Sequence, residues 1–483
     1  MTTNRSQTQE PGPKRAPAND VSQALAAHVA HARCEDMPAG VLRAAKRSLL
    51  DALGVIMAAS TLGEGCSVFA DLTRTEADAG VHPSTVLGFG FKAPAADAAL
   101  VNGAGAHALD FEDAHDQAPV HPSAQTVPAA LALAEARRAP GRELLAALAI
   151  GADLTCRLGL ALTDDPLRYG WYVPPILSAF GATAAGASLA GLSETQTLDA
   201  FSLTLGQATA TAEVIDNPES LVRGVRDAFG AHAAVLSVGL AARGLAGFRK
   251  PFEGRAGLFA LYARGGYDPR PLTHELGVRY EGERVSLKPW PSCRATHPFV
   301  DAALGLATDH DLDPLEIDTV TLLGCEWARM LAEPIERRAA PSTAIDAKFS
   351  LPFTVASALV HQRLDLDSFA EPARNEPSVL GLAQRIRYQG DGDASVRHEA
   401  VTRGTVEIRM SSGAVLSRHC AHPYGSPQAP ITEADLVAKF MDCAAHAARP
   451  VSRARLEVVA QQVLNLEEVN DVREVTALLD QAA

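Results

Sequence analysis

Small side chains at helical spacing are the feature that most restricts how this chain can fold. Over residues 20–261, Ala, Leu and Gly recur at intervals of three and four. That period places them along one face of an α-helix, and small residues let neighbouring helices approach closely. Pro140-Gly141 separates two predicted helices, and residues 193–196 form a capping box that opens another. We therefore expect an all-helical domain over residues 21–267.

The sequence pattern changes after about Arg264. Residues 317–322 and 405–410 are typical of strands, and Ser412-Gly413 supplies the turn of a hairpin. We therefore predict an α+β lid domain over residues 268–424.

The last part of the chain is helical in pattern again. A helix start is indicated at Thr432, so residues 425–483 are predicted to return to the helical domain. A chain of 483 residues is too long for one ordinary core, which favours two domains. The predicted fold class is mainly α, with a large all-helical domain and a smaller α+β lid domain.

Charge and cysteine content exclude several classes of partner. The 57 acidic and 43 basic residues give a formal net charge of −14, which disfavours nucleic acid and anionic membranes. Seven scattered cysteines without a Cys-x-x-Cys pair favour reduced thiols in a cytoplasmic protein. Asp153 and Arg157 interrupt a long apolar stretch, so no membrane span is predicted. The polar, Pro-rich residues 1–20 are predicted to be a disordered tail.

One short glycine motif resembles part of a nucleotide-binding fingerprint. Gly88-x-Gly90-x-x-Ala93 follows a strand-like segment, as a dinucleotide fingerprint would. The acidic residue expected about 20 residues later is missing, and Pro94 is typical of a turn into a helix. The motif is interpreted as a hairpin followed by a helix start, and no cofactor is predicted.

Acidic and imidazole side chains crowd into residues 107–121. Those in the middle of the segment are Asp110, Glu112, Asp113, His115 and Asp116. His121 follows on a Pro-bounded loop, and such crowding moves pKa values toward neutrality, which suits proton transfer. A helix over residues 94–111 would place Asp110 on the same face as Asn102 and Ala106. Two other interpretations stay open: a solvated helix end, and a metal site of Asp110, Asp113, His115 and His121.

A stiff, cationic segment lies at residues 288–298. Three prolines restrict the backbone around Lys288, Arg294 and His297. Cations held in this way would neutralise a substrate carboxylate, with Arg294 giving a bidentate grip. Cys293 is assigned to the same binding region, since nothing indicates the lowered pKa of a nucleophile. The alternative is a structural linker between the domains.

Lys348 is a further candidate for binding a carboxylate. It precedes an apolar helical segment at residues 354–360. An exposed lysine without a function is the alternative interpretation of this position.

Taken together and in this order, these segments resemble the MmgE/PrpD family. The similarity runs over about residues 22–445 and includes NGxxAHALDFxDxH, the following HPS, KPWPSCRATHP and DAKFSLPF. The family includes 2-methylcitrate dehydratases, cis-aconitate decarboxylases and iminodisuccinate epimerases. The resemblance implies a helical domain completed by the C-terminal tail, an α+β lid, an active site in the cleft, and a homodimer without an organic cofactor. It also implies that Asp110 and His121 are active-site residues.

Three positions depart from the family pattern. Ala114 stands where cis-aconitate decarboxylases have Thr, and Tyr172 stands where many members have His. The usual Lys before the helix at residues 230–234 is missing, and either Arg223 or Arg226 is a candidate to replace its charge.

These residues lead to a hypothesis for the chemistry. One of His121 and Tyr172 is the base and the other the acid, and Asp110 orients His121. The predicted substrate-binding residues are Arg226, Lys288, Cys293, Arg294, His297 and Lys348.

We predict a lyase of the dehydratase or decarboxylase type. It would act on a small di- or tricarboxylate, or a related acid, by proton abstraction or CO2 loss next to a carboxylate. Tyr172 and Ala114 favour an epimerase or isomerase as the alternative. A metallohydrolase and a non-catalytic, metabolite-binding dimer are the further alternatives. The expected partners are the small carboxylate and a second copy of the chain.

Overall fold

The computed structural model describes residues 20–76, 82–217, 220–392 and 402–480. The tail predicted at residues 1–20 lies outside this part except for Asp20, whose side chain caps the first helix. The α-helices of the N-terminal part are α1 (Val21–His31), α2 (Ala39–Leu62), α3 (Cys66–Glu76), α4 (Ala95–Ala108), α5 (Ser123–Arg137), α6 (Gly141–Ala161), α7 (Val173–Ala190), α8 (Glu194–Leu205), α9 (Glu213–Asp216), α10 (Val222–Val225), α11 (Asp227–Ala242), α12 (Leu258–Ala263) and α13 (Arg270–Thr273).

The remaining described elements mix strands and helices. The later helices are α14 (His297–His310), α15 (Ile335–Arg338), α16 (Ala344–Lys348), α17 (Leu351–His361), α18 (Glu371–Arg374), α19 (Pro377–Ala383), α20 (Glu433–Ala445), α21 (Arg453–Leu464) and α22 (Arg473–Asp480). The strands are β1 (Ser84–Val86), β2 (Phe91–Ala93), β3 (Ala114–His115), β4 (Val285–Ser286), β5 (Ile317–Gly324), β6 (Ile386–Gly390), β7 (Gly404–Met410) and β8 (Val415–Cys420).

Close packing of small side chains builds the helical part, as the sequence predicts. Helix α7 packs against α5, α6 and α11, and α4 packs against α5 and α11. A methyl group on Gly181 of α7 would lie 1.9 Å from Thr155 Oγ1 of α6, so only glycine allows this approach. The predicted break at Pro140 and the capping box of Ser193 and Gln196 are confirmed at the starts of α6 and α8.

Helices α6 and α7 are long and apolar enough to cross a membrane by length and composition, which the sequence interpretation did not predict. In the protein, 89% and 83% of their apolar windows are buried by other elements. The charged residues of α6 pair with each other, since Arg157 Nε donates to Asp153 Oδ2 at 2.7 Å. Their composition is that of helices at the centre of a large core.

The described chain has four hydrophobic cores, and the two largest of them divide it into two parts. The larger core takes side chains from residues 21–287 and again from residues 431–479, so α20, α21 and α22 pack with the N-terminal helices. The smaller core takes its side chains from residues 295–420. This arrangement confirms the predicted fold class, mainly α with a smaller α+β part.

The α+β part is built on a four-stranded sheet in the order β6-β5-β7-β8. Strands β5 and β6 are parallel, whereas β7 is antiparallel to both β5 and β8. Gly413 has a φ of 87° in the turn between β7 and β8, which confirms the predicted hairpin. Helix α14 packs on β7 and β8, and α17 packs on α14.

Two short antiparallel strand pairs lie next to the segments that form the functional site. Strands β1 and β2 pair before Pro94 and α4, which confirms the interpretation of the glycine motif as a hairpin and a helix start. Strands β3 and β4 pair Ala114 with Ser286 and His115 with Val285. The acidic segment is thereby fixed to the chain that leads to Lys288.

Candidate active site

A backbone reversal at Asp110 creates the site. The predicted helix over residues 94–111 is wrong at its C-terminal end, because α4 ends at Ala108 and Asp110 has a φ of 48°. Asp tolerates this left-handed conformation better than most non-glycine residues. The reversal turns Asp110, Glu112 and Asp113 into the protein, where all three are buried.

An ammonium and two carboxylates meet at this reversal. Lys288 Nζ lies 2.5 Å from Asp110 Oδ1 and 3.6 Å from Glu112 Oε1, and it also donates to the Asp110 carbonyl at 2.9 Å. Burial opposes the charged form of each group, but the mutual attraction is larger. It lowers the pKa values of Asp110 and Glu112 and raises the pKa of Lys288. All three groups are therefore charged at neutral pH.

Two imidazoles share the Glu112 carboxylate. Glu112 Oε1 lies 2.7 Å from His107 Nδ1 and 2.9 Å from His121 Nδ1. His121 Nδ1 is also 3.0 Å from the Asp113 carbonyl, which can only accept a hydrogen bond, so Nδ1 carries the proton. The other ring nitrogen, Nε2, is left for chemistry. We call His107, Asp110, Glu112, His121 and Lys288 the charge centre.

The shared carboxylate affects the two imidazoles differently. Burial lowers the pKa of His121, but the attraction of Glu112 outweighs burial, so the pKa is raised above its usual value. Burial and the nearby Arg226 guanidinium lower the pKa of His107. The hypothesis that Asp110 orients His121 is wrong, since the carboxylate that contacts the His121 ring is Glu112.

The other acidic residues of this segment have structural partners. Asp113 accepts hydrogen bonds from the Ser123 backbone N–H at 3.0 Å and from its hydroxyl at 2.7 Å. Asp116 binds Arg294 through two hydrogen bonds of 2.8 Å. Both carboxylates fix the segment to its neighbours, so neither is free to perform proton transfer.

The geometry points to one possible metal-ligand group in the described part of the chain. Donor atoms of His107, Glu112 and His121 lie within 4.8 Å of one another. This group shares only His121 with the metal site that the sequence left open as an alternative, which consisted of Asp110, Asp113, His115 and His121. Lys288 Nζ already lies 3.6 Å from the shared carboxylate oxygen, so a cation would meet electrostatic repulsion there.

The cationic segment at residues 288–298 reaches the charge centre, but most of its groups have partners inside the protein. Arg294 is held by Asp116, and it also donates to Ser286 Oγ at 3.0 Å. His297 is buried, and burial together with Arg294 holds its pKa well below the usual range. Burial raises the pKa of Cys293 to about 11, so its thiol stays protonated. Arg294 and His297 therefore lie beside the site, where both side chains already have hydrogen-bond partners inside the protein.

Lys348 comes to the site from the α+β part. Its ammonium donates to the Pro291 carbonyl at 3.0 Å and lies 4.1 Å from the centre of the Phe369 ring. Burial lowers the pKa of Lys348 to about 7. The alternative of an exposed lysine is wrong, because the side chain is buried.

A second cationic region lies at the junction of α10 and α11. The Arg226 guanidinium lies 5.0 Å from the Tyr172 ring centre, and the Arg223 guanidinium lies 3.6 Å from that of Phe349. Among the described residues, no acceptor binds the buried Nε and Nη2 of Arg226 or the buried Nε of Arg223. We call Tyr172, Arg223, Arg226 and Phe349 the arginine corner.

The arginine corner and the charge centre interact electrostatically. The Arg226 charge lowers the pKa of His107. It is itself stabilised by Asp227, 3.6 Å from its Nε, and more weakly by Glu112 and Asp110. Buried N–H groups without acceptors are unfavourable, so they mark a place where a ligand with acceptor oxygens is expected. Together the two regions can hold an anionic group and deliver or remove a proton beside it.

Sequence reasoning missed two residues at this site. Lys439 and Asp51 form an ion pair of 2.6 Å behind the charge centre, and Lys439 donates to the Lys288 carbonyl. The signal available in the sequence was the Lys439-Phe440 pair, which the resemblance to the family included without assigning a role.

Comparison with protein families accounts for both parts of this fold. Residues 23–270 match the MmgE/PrpD N-terminal domain and residues 290–466 match the MmgE/PrpD C-terminal domain. The fold is therefore that of a lyase-type enzyme with a helical part and a smaller α+β part. The chain belongs to the MmgE/PrpD family, as the resemblance in its sequence indicated.

Characterised relatives extend over nearly the whole chain. A cis-aconitate decarboxylase of Mus musculus is 26% identical over 480 residues, covering 95% of this chain and 93% of that protein. A cis-aconitate decarboxylase of Homo sapiens is 27% identical over 455 residues, covering 91% and 90%. A cis-aconitate decarboxylase-like protein of Aspergillus oryzae is 26% identical over 487 residues, covering 96% and 98%.

Proposed function

We propose that this lyase removes CO2 from a small unsaturated di- or tricarboxylate of the cis-aconitate type. The observation that carries the proposal is the Glu112 carboxylate shared between His107 and His121. It binds Nδ1 of His121 and leaves Nε2 as the nitrogen that meets the substrate. The names of the relatives support cis-aconitate as the first substrate to test.

The protonation state of His121 favours decarboxylation over dehydration. Its raised pKa means that more of the imidazole is protonated at neutral pH than in a solvated histidine. A decarboxylase needs an acid, because the carbanion left by CO2 must take up a proton. A dehydratase needs a neutral imidazole to remove a proton, which the shared carboxylate disfavours.

The proposed step conserves atoms and charge. The bond between a substrate carbon and one carboxylate breaks, CO2 leaves, and the electron pair stays on the carbon. Conjugation with the neighbouring double bond and carboxylate spreads the negative charge. His121 Nε2–H then protonates the substrate carbon, and the neutral imidazole keeps its Nδ1–H on Glu112 until solvent returns a proton.

Arg226 is proposed to hold a carboxylate that does not react. Its Nε and Nη2 are buried without acceptors, and a carboxylate would satisfy both through a two-point contact. The Tyr172 ring supports the guanidinium from one face, 5.0 Å away. The non-reacting carboxylate would then fix the substrate against His121.

The test is turnover of a panel of carboxylic acids by the purified full-length chain. The panel contains cis-aconitate, citrate and 2-methylcitrate, and products are identified by mass spectrometry. We expect loss of CO2 from cis-aconitate or a close analogue, and no turnover in His121→Gln. His31→Gln is the matched control, because His31 also meets a glutamate at 2.9 Å but is 69% exposed. Loss of water alone, or turnover unchanged in His121→Gln, would contradict the proposal.

An isomerase or epimerase is the second candidate. The contact of Tyr172 with the charged Arg226 favours this candidate. An epimerase removes a proton from one face of a substrate carbon and adds one to the other face, so it needs a second acid or base across the substrate from His121. Reaction in deuterated water separates the candidates. An epimerase exchanges the substrate proton for deuterium without net loss of CO2 or water, whereas the proposed decarboxylase releases CO2 and places one deuterium in the product.

A further inference from the structure

A buried lysine behind the charge centre is not explained by substrate binding. Lys439 lies on α20, and its ammonium donates to the Phe111 carbonyl at 2.8 Å and to the Lys288 carbonyl at 2.8 Å. It also forms an ion pair of 2.6 Å with Asp51 Oδ1 on α2. An ammonium has three N–H donors, so these acceptors use all of them.

The two carbonyls belong to the two chain segments that form the charge centre. Phe111 lies between Asp110 and Glu112, and Lys288 carries the ammonium that pairs with both carboxylates. The two segments are 178 residues apart in sequence. The aromatic ring of Phe111 also packs against the Lys439 ammonium, 3.6 Å from the ring centre. One buried side chain thus holds both segments at their main chains.

We propose that Lys439, neutralised by Asp51, is a positioning residue that sets the register between Lys288 and the carboxylates of Asp110 and Glu112. It acts through the backbone and does not touch substrate. The role rests on the proposed function only in that the charge centre is taken as the catalytic site. Loss of Lys439 would let Lys288 shift, and Glu112 would hold His121 less firmly.

Asp51 has a separate role that allows a clean experiment. Burial raises the pKa of Asp51 to about 6, and Lys439 is the main group that opposes this shift. Replacing Lys439 alone would leave a buried carboxylate without its partner, which destabilises a fold whatever the role of the lysine. The informative variant therefore replaces both charges, in Asp51→Asn/Lys439→Gln.

The experiment compares this double variant with two others. Asp51→Asn keeps the two carbonyl hydrogen bonds of Lys439. The matched control is Lys46→Gln/Glu467→Gln, which removes another ion pair between α2 and the C-terminal segment, at 2.9 Å on the surface. Circular dichroism and thermal melting establish which variants are folded, and kcat and KM are measured below the lowest Tm. The pKa of His121 is measured by NMR with 13Cε1-labelled histidine.

We expect the double variant to lose about 100-fold in kcat with KM changed less than about threefold, as a misplacement of about 1 Å would cause. Its His121 pKa should fall toward the ordinary value of about 6.5. Asp51→Asn keeps the carbonyl hydrogen bonds of Lys439 and should lose less kcat than the double variant. The control Lys46→Gln/Glu467→Gln should keep kcat within about threefold of the wild type, because it leaves the reacting groups in place.

A folded double variant with unchanged kcat and an unchanged His121 pKa would overturn the proposal. The proposal would also be overturned if kcat fell in proportion to Tm, and by the same proportion, in Asp51→Asn and in the double variant. Lys439 would then contribute to folding stability alone. If the wild type turns over none of the acids tested, the proposed function fails, but the NMR measurement still decides the role of Lys439.

Discussion

The charge centre and the arginine corner interact electrostatically, and they differ in which of their buried atoms lack a hydrogen-bond partner. In the charge centre, the Lys288 ammonium is already bound to the side chain and carbonyl of Asp110. In the arginine corner, buried N–H groups of Arg226 and Arg223 meet no acceptor among the described residues. The unpartnered atoms of the charge centre are His107 Nε2, Asp110 Oδ2 and Glu112 Oε2, so its ammonium is satisfied. The arginine corner instead keeps N–H donors without acceptors, although Arg226 Nε lies 3.6 Å from the Asp227 carboxylate.

This difference suggests how the work of the site is divided. Groups that are paired before substrate arrives need little rearrangement during the reaction, which suits proton transfer and charge stabilisation. Groups buried without partners gain most when a ligand supplies acceptors, which suits binding. We therefore assign chemistry to the charge centre and substrate recognition to the arginine corner. Single substitutions in each region can break or support this division.

Lys288→Met should have the largest effect, because it leaves Asp110 and Glu112 buried together without their cation. Breaking a buried ion pair from one side costs about 3 to 5 kcal/mol of folding stability. We also expect kcat to fall by at least about 100-fold in the protein that remains folded. Urea unfolding and steady-state kinetics measure the two effects. The partly buried Lys46 pairs with Glu467, which is 46% exposed, so Lys46→Met should change stability by less than about 1 kcal/mol. A similar loss of stability in both variants would contradict the assigned division.

Arg226→Gln should separate binding from chemistry. The change removes the cation that lies 3.6 Å from the buried Asp227 carboxylate, so kinetics are measured below the Tm of the variant. KM should rise by about 10- to 100-fold, the range for losing a charged hydrogen bond worth about 1.5 to 3 kcal/mol. Arg243→Gln, at the exposed end of the same helix, is the control and should leave KM unchanged. A fall in kcat with KM constant would place Arg226 in the chemical step and break the assigned division.

The pH profile tests the role of His121. Its pKa is raised in the folded protein, so the protonated form persists to a higher pH than in solvated histidine. As the proposed acid it should support a kcat that is high at low pH and falls about tenfold per pH unit above its raised pKa. The stability that protonated His121 contributes is present in full below about pH 6.5 and is lost as pH rises through the raised value.

A neighbouring group titrates in the same range and must be separated. Burial lowers the pKa of Lys348 to about 7, so the profile should be repeated in Lys348→Met. We expect the falling limb to remain in that variant. A limb that rises with pH would instead identify His121 as a base and favour dehydration.

Tyr172→Phe should have the smallest effect if the division is correct. The ring that supports Arg226 remains, and only the hydroxyl is lost, so we expect kcat and KM to change less than about fivefold. A role for the hydroxyl in acid/base chemistry would cost about 100- to 10,000-fold in kcat. The measured ratio therefore decides between the decarboxylase and the isomerase without knowledge of the bound geometry.

Local patterns predicted most of the architecture. The capping box at Ser193, the hairpin at Gly413 and the helix start at Thr432 are all present, because each depends on a few neighbouring residues. The predicted helix over residues 94–111 failed at its end, since the turn at Asp110 depends on what its side chain meets far away in the sequence. Local propensity does not contain that information.

The same limit applies to the partners of the site residues. The crowded acidic segment identified where the site would be, but it did not distinguish Glu112, which binds two imidazoles, from Asp113, which caps Ser123. The cations at residues 288–298 looked equally available for substrate. In the structure, Arg294 donates two hydrogen bonds to Asp116, whereas Nε and Nη2 of Arg226 have no hydrogen-bond acceptor among the described residues, which no spacing in the sequence reveals.

The mainly helical fold and the membership of the MmgE/PrpD family could both be predicted from the sequence. Helical period, small-residue packing and the order of the motifs are all properties of residues that are close along the chain. The tertiary structure alone decided which charges are paired. Lys439 and Phe111 are 328 residues apart, yet their contact helps to fix the charge centre. Burial makes each such pairing strong and each unpaired group costly, so the function of a charged residue here follows from its neighbours in space.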